Sequence, residues 1–216
     1  GTGPLSYQWF KSATPISGAV GASYVLGASA ASDAGDYSVT ITNVVGTQTS
    51  SSASVTVNVP VTISAQPSSL TVTEGNTMTL SVTATGTGPL SYQWFKSATS
   101  ISGATGASYV LAAAAASDAG EYSVRVINVV GTQTSSTASV TVNVPVTITT
   151  QPSSLTVTEG EVIALSVAAT GTGPLSYQWF KSASPISGAI GASYVLGAAA
   201  ASDAGEYSVR VTNVVG

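Results

Sequence analysis

The sequence predicts an all-β chain: a tandem of β-sandwiches joined end to end in an extended rod. Three observations lead there. The segment GTGPLSYQWFKSA starts at Gly1 and returns at Gly86 and Gly171, an interval of 85 residues each time, which is the mark of a repeat array. Apolar residues alternate around each copy with a period of two, the pattern of half-buried strands. Each copy is then followed by an Asp-x-Gly-x-Tyr segment, at Asp33, Asp118 and Asp203.

The complete repeat runs from Val61 to Pro145, and its elements can be taken in order. Gln66-Pro67 interrupts a first strand, since proline lacks the N–H that a sheet ladder needs. Leu70 and Val72 alternate up to a Glu74-Gly75 turn. Met78, Leu80 and Val82 share one parity and should face a core, with Thr79, Ser81 and Thr83 facing solvent. Gly88-Pro89 turns the chain into a central strand carrying Leu90, Tyr92 and Trp94 on one face and Phe95 on the other. Ile101-Ser-Gly-Ala reads as a short edge strand and turn, and Tyr109 to Leu111 as the next strand. The alanine run up to Ala116 has helix propensity but is too short to hold a helix alone, so a helical or turn link is expected. Tyr122, Val124 and Val126 alternate cleanly, Asn128-Val-Val-Gly131 turns a hairpin, and Ala138, Val140, Val142 and Val144 close the unit. Short strands with frequent turns are the pattern of a β-sandwich.

Three domains follow: residues 1–60, a partial unit lacking its first strands; 61–145, a complete unit; and 146–216, a partial unit lacking its last strand. Val59-Pro60-Val61 and Val144-Pro145-Val146 form the junctions, and proline restricts itself and the residue before it. The expectation is a window on a longer array with stiff links. Residues 1–46 and 171–216 differ at six positions (Thr14/Ser184, Val20/Ile190, Ser29/Ala199, Asp36/Glu206, Thr40/Arg210 and Ile41/Val211). Such near-identity argues against a specialised site in each copy.

Composition narrows the functions. Charged residues are 6% of the chain against 44% apolar, far below the charge of an ordinary domain. The five basic residues, Lys11, Lys96, Lys181, Arg125 and Arg210, form no stripe, which excludes a nucleic-acid footprint. There is no histidine and no cysteine, so disulfides, thiolate chemistry and most metal and haem ligand sets are excluded. No apolar run is long enough to span a membrane as a helix. A serine nucleophile would lack a general base, and GTGPL lacks the lysine and helix of a phosphate-binding loop. The chain reads as no enzyme and as needing no cofactor.

The residues assembled above resemble the immunoglobulin-like superfamily, and within it the I-type domains found in tandem. The resemblance covers the whole chain. It makes Trp9, Trp94 and Trp179 the core tryptophans, and makes Asp33, Gly35 and Tyr37, Asp118, Gly120 and Tyr122, and Asp203, Gly205 and Tyr207 the tyrosine-corner motifs. The paired cysteines of that family would fall at Val82 and Val124 and at Val167 and Val209, with Val39 at the one matching position of the first unit. Without the cross-link, packing must replace about 2–5 kcal/mol per domain. The cysteine-free pattern, with YQWFK and ASDAGEYSV, resembles bacterial secreted and cell-surface proteins, which implies an extracellular location.

The candidate sites are few. Phe10, Phe95 and Phe180 lie opposite the tryptophans and are candidates for a contact surface between domains or chains, against ordinary sheet packing. Asp118 near Glu121 is read as a turn cap rather than a catalytic pair or calcium site, and Glu159 and Glu161 as a solvated turn. Lys96 and Asn128 would need proximity and an acidic catalyst to form an isopeptide bond, against an exposed lysine. The expected role is structural: a repeat of an extracellular filament, stalk or adhesin shaft, whose partners are neighbouring repeats and other copies of the chain. The alternative is a carbohydrate- or protein-binding module of a larger secreted enzyme or adhesin.

Overall fold

A computed structural model describes residues 2–216; Gly1, the first residue of the repeated segment, lies outside them. Among the described residues, all regular structure is β apart from three short 3₁₀ turns. Packing divides the chain into two compact units. One comprises the described residues up to Ser64 with Ala84–Ser91 and Val126–Gln133; the other comprises Ala65–Thr83, Tyr92–Arg125 and Thr134–Gly216.

In the first unit the central strand Ser6–Lys11 pairs antiparallel with Gly35–Asn43, with Trp9 opposite Val39 and Lys11 opposite Tyr37. Gly35–Asn43 continues the sheet through Gly46–Thr49 and Ala53–Val55. The hairpin from Ser6–Lys11 into Thr14–Pro15 turns at Ser12 and Ala13, with φ of 45° and 67°. Two consecutive left-handed residues match the right-handed strand twist of a two-residue hairpin. The same pair recurs at Ser97 and Ala98, and at Ser182 and Ala183.

Another sheet runs in the order Thr99–Ser100, Ser91–Lys96, Gly120–Ile127, Ala138–Asn143, Leu70–Thr73. The outer pair is parallel, with Val140 opposite Leu70 and Asn143 opposite Thr73. A separate antiparallel pair sets Met78–Ser81 against Ser108–Leu111. Met78, Leu80, Val82, Trp94, Tyr122, Val124, Val140 and Val142 are buried, while Thr79, Ser81 and Thr83 are exposed, so the period-two reading of these strands matches their burial. A second core gathers Ile163, Leu165, Val167 and Trp179 with Ala189 and Ala199, and the half-buried Tyr207 and Val209 pack against it.

One element differs from the sequence reading, and the link after Leu111 takes a definite form. The edge strand is Thr99–Ser100, with Ile101 to Ala104 forming the turn after it; Trp94 N–H takes the Ala104 carbonyl (3.0 Å) and Ala104 N–H returns to the Ile101 carbonyl (3.2 Å), which bends the chain out of the ladder. The alanine run is extended or bent up to a single 3₁₀ turn at Ala116–Asp118, because Ala114 bonds back to Asn76 through its N–H and to Gly75 through its carbonyl.

Candidate functional site

Three recurring constellations hold the residues that the sequence singles out. The first is the core stack. Trp94 is fully buried and donates its indole N–H to the Gly106 carbonyl at 2.9 Å, which satisfies its polar edge inside an apolar surround. Tyr109 lies between Trp94 (ring centroids 6.3 Å apart) and Tyr122 (5.9 Å), making a continuous aromatic stack. Trp179, Tyr194 and Tyr207 repeat it, and so do Trp9, Tyr24 and Tyr37. Burial varies, however. Trp179 is as enclosed as Trp94, whereas Trp9 is half-buried. The middle tyrosine escaped the sequence reading, although its recurrence in ASYVL at Tyr24, Tyr109 and Tyr194 was the available signal.

The second constellation is the corner turn. Asp118 Oδ2 accepts the Ala115 N–H at 2.8 Å, and the Asp118 N–H returns to the Ala115 carbonyl at 2.8 Å. Tyr122 OH donates to the Asp118 carbonyl at 2.8 Å. Burial, with smaller contributions from Tyr109 and the Asp118 carboxylate, pushes the Tyr122 hydroxyl up to about 12. Burial raises Tyr109 and Tyr194 in the same direction. Lys96 Nζ donates to the Ser117 carbonyl and stands 5.8 Å from the Tyr122 ring centre; Asn128 has other partners. Gly120, at φ +144°, admits the Lys96 stem, which would lie 3.2 Å from an added Cβ. The arrangement recurs at Asp33, Gly35 and Tyr37 under Lys11, and at Asp203, Gly205 and Tyr207 under Lys181. The neighbouring acids also serve turns: the Glu161 carboxylate accepts the Thr158 N–H at 2.7 Å. Phe95 is half-buried beneath the Arg125 guanidinium, 5.0 Å from its ring centre, and Phe180 lies beneath Arg210 at 5.3 Å. Phe10 is half-buried too, with Thr40 where the other copies carry arginine.

The third constellation, at the junctions, was not assembled from the sequence. Val59 N–H donates to Thr87 Oγ1 at 2.7 Å, and Thr87 N–H donates back to the Val59 carbonyl at 3.0 Å. Asn128 Nδ2 donates to the same Val59 carbonyl (2.8 Å) and to the Thr87 carbonyl (3.0 Å). Its Oδ1 accepts the N–H groups of Val130 (3.0 Å) and Gly131 (3.2 Å). Asn128 is the single buried polar residue among the described residues, at 9% exposure. Gly86, at φ +141°, completes the clasp: a Cβ there would lie 2.9 Å from the Pro60 carbonyl oxygen and 3.1 Å from Asn128 Nδ2. Val144, Thr172, Asn213 and Gly171 reproduce it within the second unit. The signal was the joint recurrence of Gly-Thr-Gly and Asn-Val-Val-Gly with Val-Pro-Val.

The second unit also holds a groove of about 930 Å³ lined by residues such as Leu155, Val157, Ile163, Leu165 and Tyr207. Its lining also includes the acidic Glu159, Asp203 and Glu206 beside the corner turn. Among the described residues no cluster of histidine, cysteine, aspartate and glutamate could hold a metal ion. The sequence holds neither histidine nor cysteine, and the corner carboxylates are committed to turns. No helix is long and apolar enough to cross a membrane.

Comparison with known proteins corrects one expectation. A decoration protein of Escherichia phage T5 is 54% identical over 61 residues, which are 28% of this chain and 37% of that protein. That overturns the resemblance to bacterial surface proteins. The chemistry explains the miss: a hydroxyl-rich, cysteine-free surface suits any protein displayed outside a cell, and a phage particle meets the same solvent as a bacterial envelope. The chain spans little more than a third of that relative's length. Among solved structures, an I-band fragment of titin is similar over 99% of this chain and 85% of its own, at 21% identity and a TM-score of 0.76. Extracellular domains 3–5 of Drosophila OTK are similar over 98% of this chain and 82% of theirs, at 18% identity and a TM-score of 0.50. At those identities the likeness concerns the fold, a row of immunoglobulin-like β-sandwiches. The sequence profile of the immunoglobulin domain matches residues 60–128 and again 145–213, more than half of the chain, and the chain therefore belongs to the immunoglobulin domain family.

Proposed function

We propose that this chain is a structural repeat segment of a protein displayed on the outside of an extracellular assembly, such as a phage particle, where it supplies reach and mechanical continuity. The observation that carries the reading is the repetition of one packing scheme. The same aromatic stack, corner turn and junction clasp recur with nearly the same distances, and among the described residues no acidic cluster could hold a metal ion. Low charge fits close neighbours, because little electrostatic repulsion keeps copies apart. The domains proposed are residues 1–60, 61–145 and 146–216, joined through the two Val-Pro-Val straps. Their partners are neighbouring repeats and other copies of the chain. The location outside the cell agrees with the relative that is a phage decoration protein.

A second reading, a module that contacts a protein or glycan, is favoured by one observation. The Asn-Val-Val-Gly hairpin tips leave pairs of valines in water: Val44 and Val45 are 80% and 81% exposed, and Val129 and Val130 are 71% and 46% exposed. Exposed apolar groups clustered on a loop are the common material of contact surfaces.

Electron microscopy of native full-length material, labelled with an antibody raised against this chain, tests the first reading. Label on the exterior of particles or fibres is expected, and label confined to cell interiors refutes it. The second reading is tested by pull-down and glycan-array binding of the chain. Saturable binding lost on Val129→Ser with Val130→Ser replaces the structural reading by the contact one, and an absence of saturable binding excludes the contact one.

A further inference from the structure

We infer that the junction clasp couples the folding of each repeat to the one before it, through a single two-sided amide. The strap at Val59 belongs to the end of the preceding repeat, just beyond its Ala53–Val55 strand. The groups that hold it, Gly86, Thr87 and Asn128, belong to the following repeat. Asn128 acts on both sides at once: Oδ1 builds the hairpin tip of its own repeat by accepting from Val130 and Gly131, while Nδ2 grips the strap at Val59 and the turn at Thr87. Its capacity is fully used where little water reaches, since the residue is 9% exposed. Lifting the strap would strand an amide N–H of Asn128 and break the reciprocal pair between Val59 and Thr87. Buried donors without partners are costly, so the strap stays docked while the tip is folded, and the tip is stabilised while the strap is docked.

The direction follows from who supplies what. The following repeat provides side chains that hold the backbone of the preceding one, so loss of the clasp loosens the end of the preceding repeat first. The second junction carries the same arrangement, with Asn213 Nδ2 on the Val144 and Thr172 carbonyls at 2.8 and 3.0 Å. In the first repeat Asn43 makes the corresponding bonds within its own unit: Nδ2 donates to the Thr2 carbonyl at 3.0 Å, and Oδ1 accepts from the Val45 and Gly46 N–H groups. Nearest-neighbour coupling of this kind is how repeat arrays acquire cooperativity beyond one unit. This inference goes beyond the structural role proposed above and does not depend on where the chain is displayed.

Hydrogen exchange on the full chain tests it, with Asn128→Asp as the separating variant. Aspartate keeps the oxygen that caps Val130 and Gly131 but has no N–H for the strap. The expected result is exchange at the Val59 and Thr87 amides faster by roughly tenfold, the loss of one to two net hydrogen bonds, with the Ala53–Val55 amides accelerated alongside. The amides of Val130 and Gly131 should accelerate with them, because coupling between strap and tip is reciprocal, whereas those of Val144 and Thr172 at the intact second junction should stay within about twofold of wild type. Thr87→Val, which removes only the acceptor of the Val59 N–H, should give the same pattern and reads the same amides if the aspartate variant does not fold. Unchanged exchange at Val59 and Thr87, or acceleration there that leaves Ala53–Val55 at wild-type rates, overturns the inference.

Discussion

Trp9, Trp94 and Trp179 occupy identical sequence surroundings yet differ in burial, which ties the worth of a residue to what covers it. Trp94 is fully enclosed and hydrogen-bonded through its indole N–H. Truncation to alanine in this site is expected to cost about 3–5 kcal/mol, in the range of large-to-small core changes. Trp9→Ala should cost clearly less, because half-buried Trp9 has less contact to lose; urea unfolding of the two variants, followed by circular dichroism, checks the order. Tyr122 supplies a pH prediction. Its hydroxyl is held up at about 12 in the folded chain, above the ordinary value of 10.0, first by burial. The neutral form is thus favoured by folding: the stabilisation is complete below pH 10 and is lost as pH rises from 10 towards 12, because the unfolded chain gives up the proton first. Alkaline titration followed by tyrosinate absorbance and circular dichroism should show late ionisation coupled to unfolding, and Tyr122→Phe should flatten that loss. Arg125 over Phe95 is a smaller effect. Arg125→Thr, the residue that the first repeat carries at Thr40, should cost about 0.5–1 kcal/mol as an exposed cation–π contact, measured as a shift in the unfolding midpoint.

At the scale of elements, the pentapeptide ASYVL shows how much was legible and where legibility ended. It occurs identically at 22–26, 107–111 and 192–196. Ser108–Leu111 and Ser193–Leu196 are strands, paired with Met78–Ser81 and Ile163–Ser166, whereas residues 23–26 are not a strand. The alternation was readable from Tyr109 and Leu111, but strand formation needs a partner that local sequence does not display. Thr79→Pro, which disturbs the Met78–Ser81 ladder, is therefore expected to raise hydrogen exchange across Ser108–Leu111 towards the rate of residues 23–26; exchange that stays at the wild-type rate would refute that dependence. The corner turns were legible because Asp-x-Gly-x-Tyr names its own geometry. The clasp was not, since Asn128, Thr87 and Val59 are far apart in sequence and their meeting depends on tertiary placement. The arginine over Phe95 was not legible for a related reason: period two places Phe95 on the face opposite Trp94 but says nothing of the Arg125 side chain that covers it.

For the whole molecule, repetition and parity were enough to read a tandem of β-sandwiches, the tryptophan and corner motif carried the resemblance to the immunoglobulin-like superfamily, and the family match covers 60–128 and 145–213. The kind of bearer was not readable, because neither charge nor cysteine content separates a bacterial envelope from a phage particle. A mechanical role does have a structural correlate in the second unit. Leu70–Thr73 lies near the start of its repeat and Ala138–Asn143 near the end, and the two pair in parallel over four residues each. Tension applied through the chain would shear those hydrogen bonds together rather than unzip them singly. The most direct measurement is single-molecule pulling of the full chain from its two ends. A structural element that carries tension should give a discrete unfolding event releasing roughly 300 Å of chain, the extended length of one 85-residue repeat, at a force lowered by Thr141→Pro in the parallel pair. Smooth extension at negligible force with no discrete event would contradict the mechanical role.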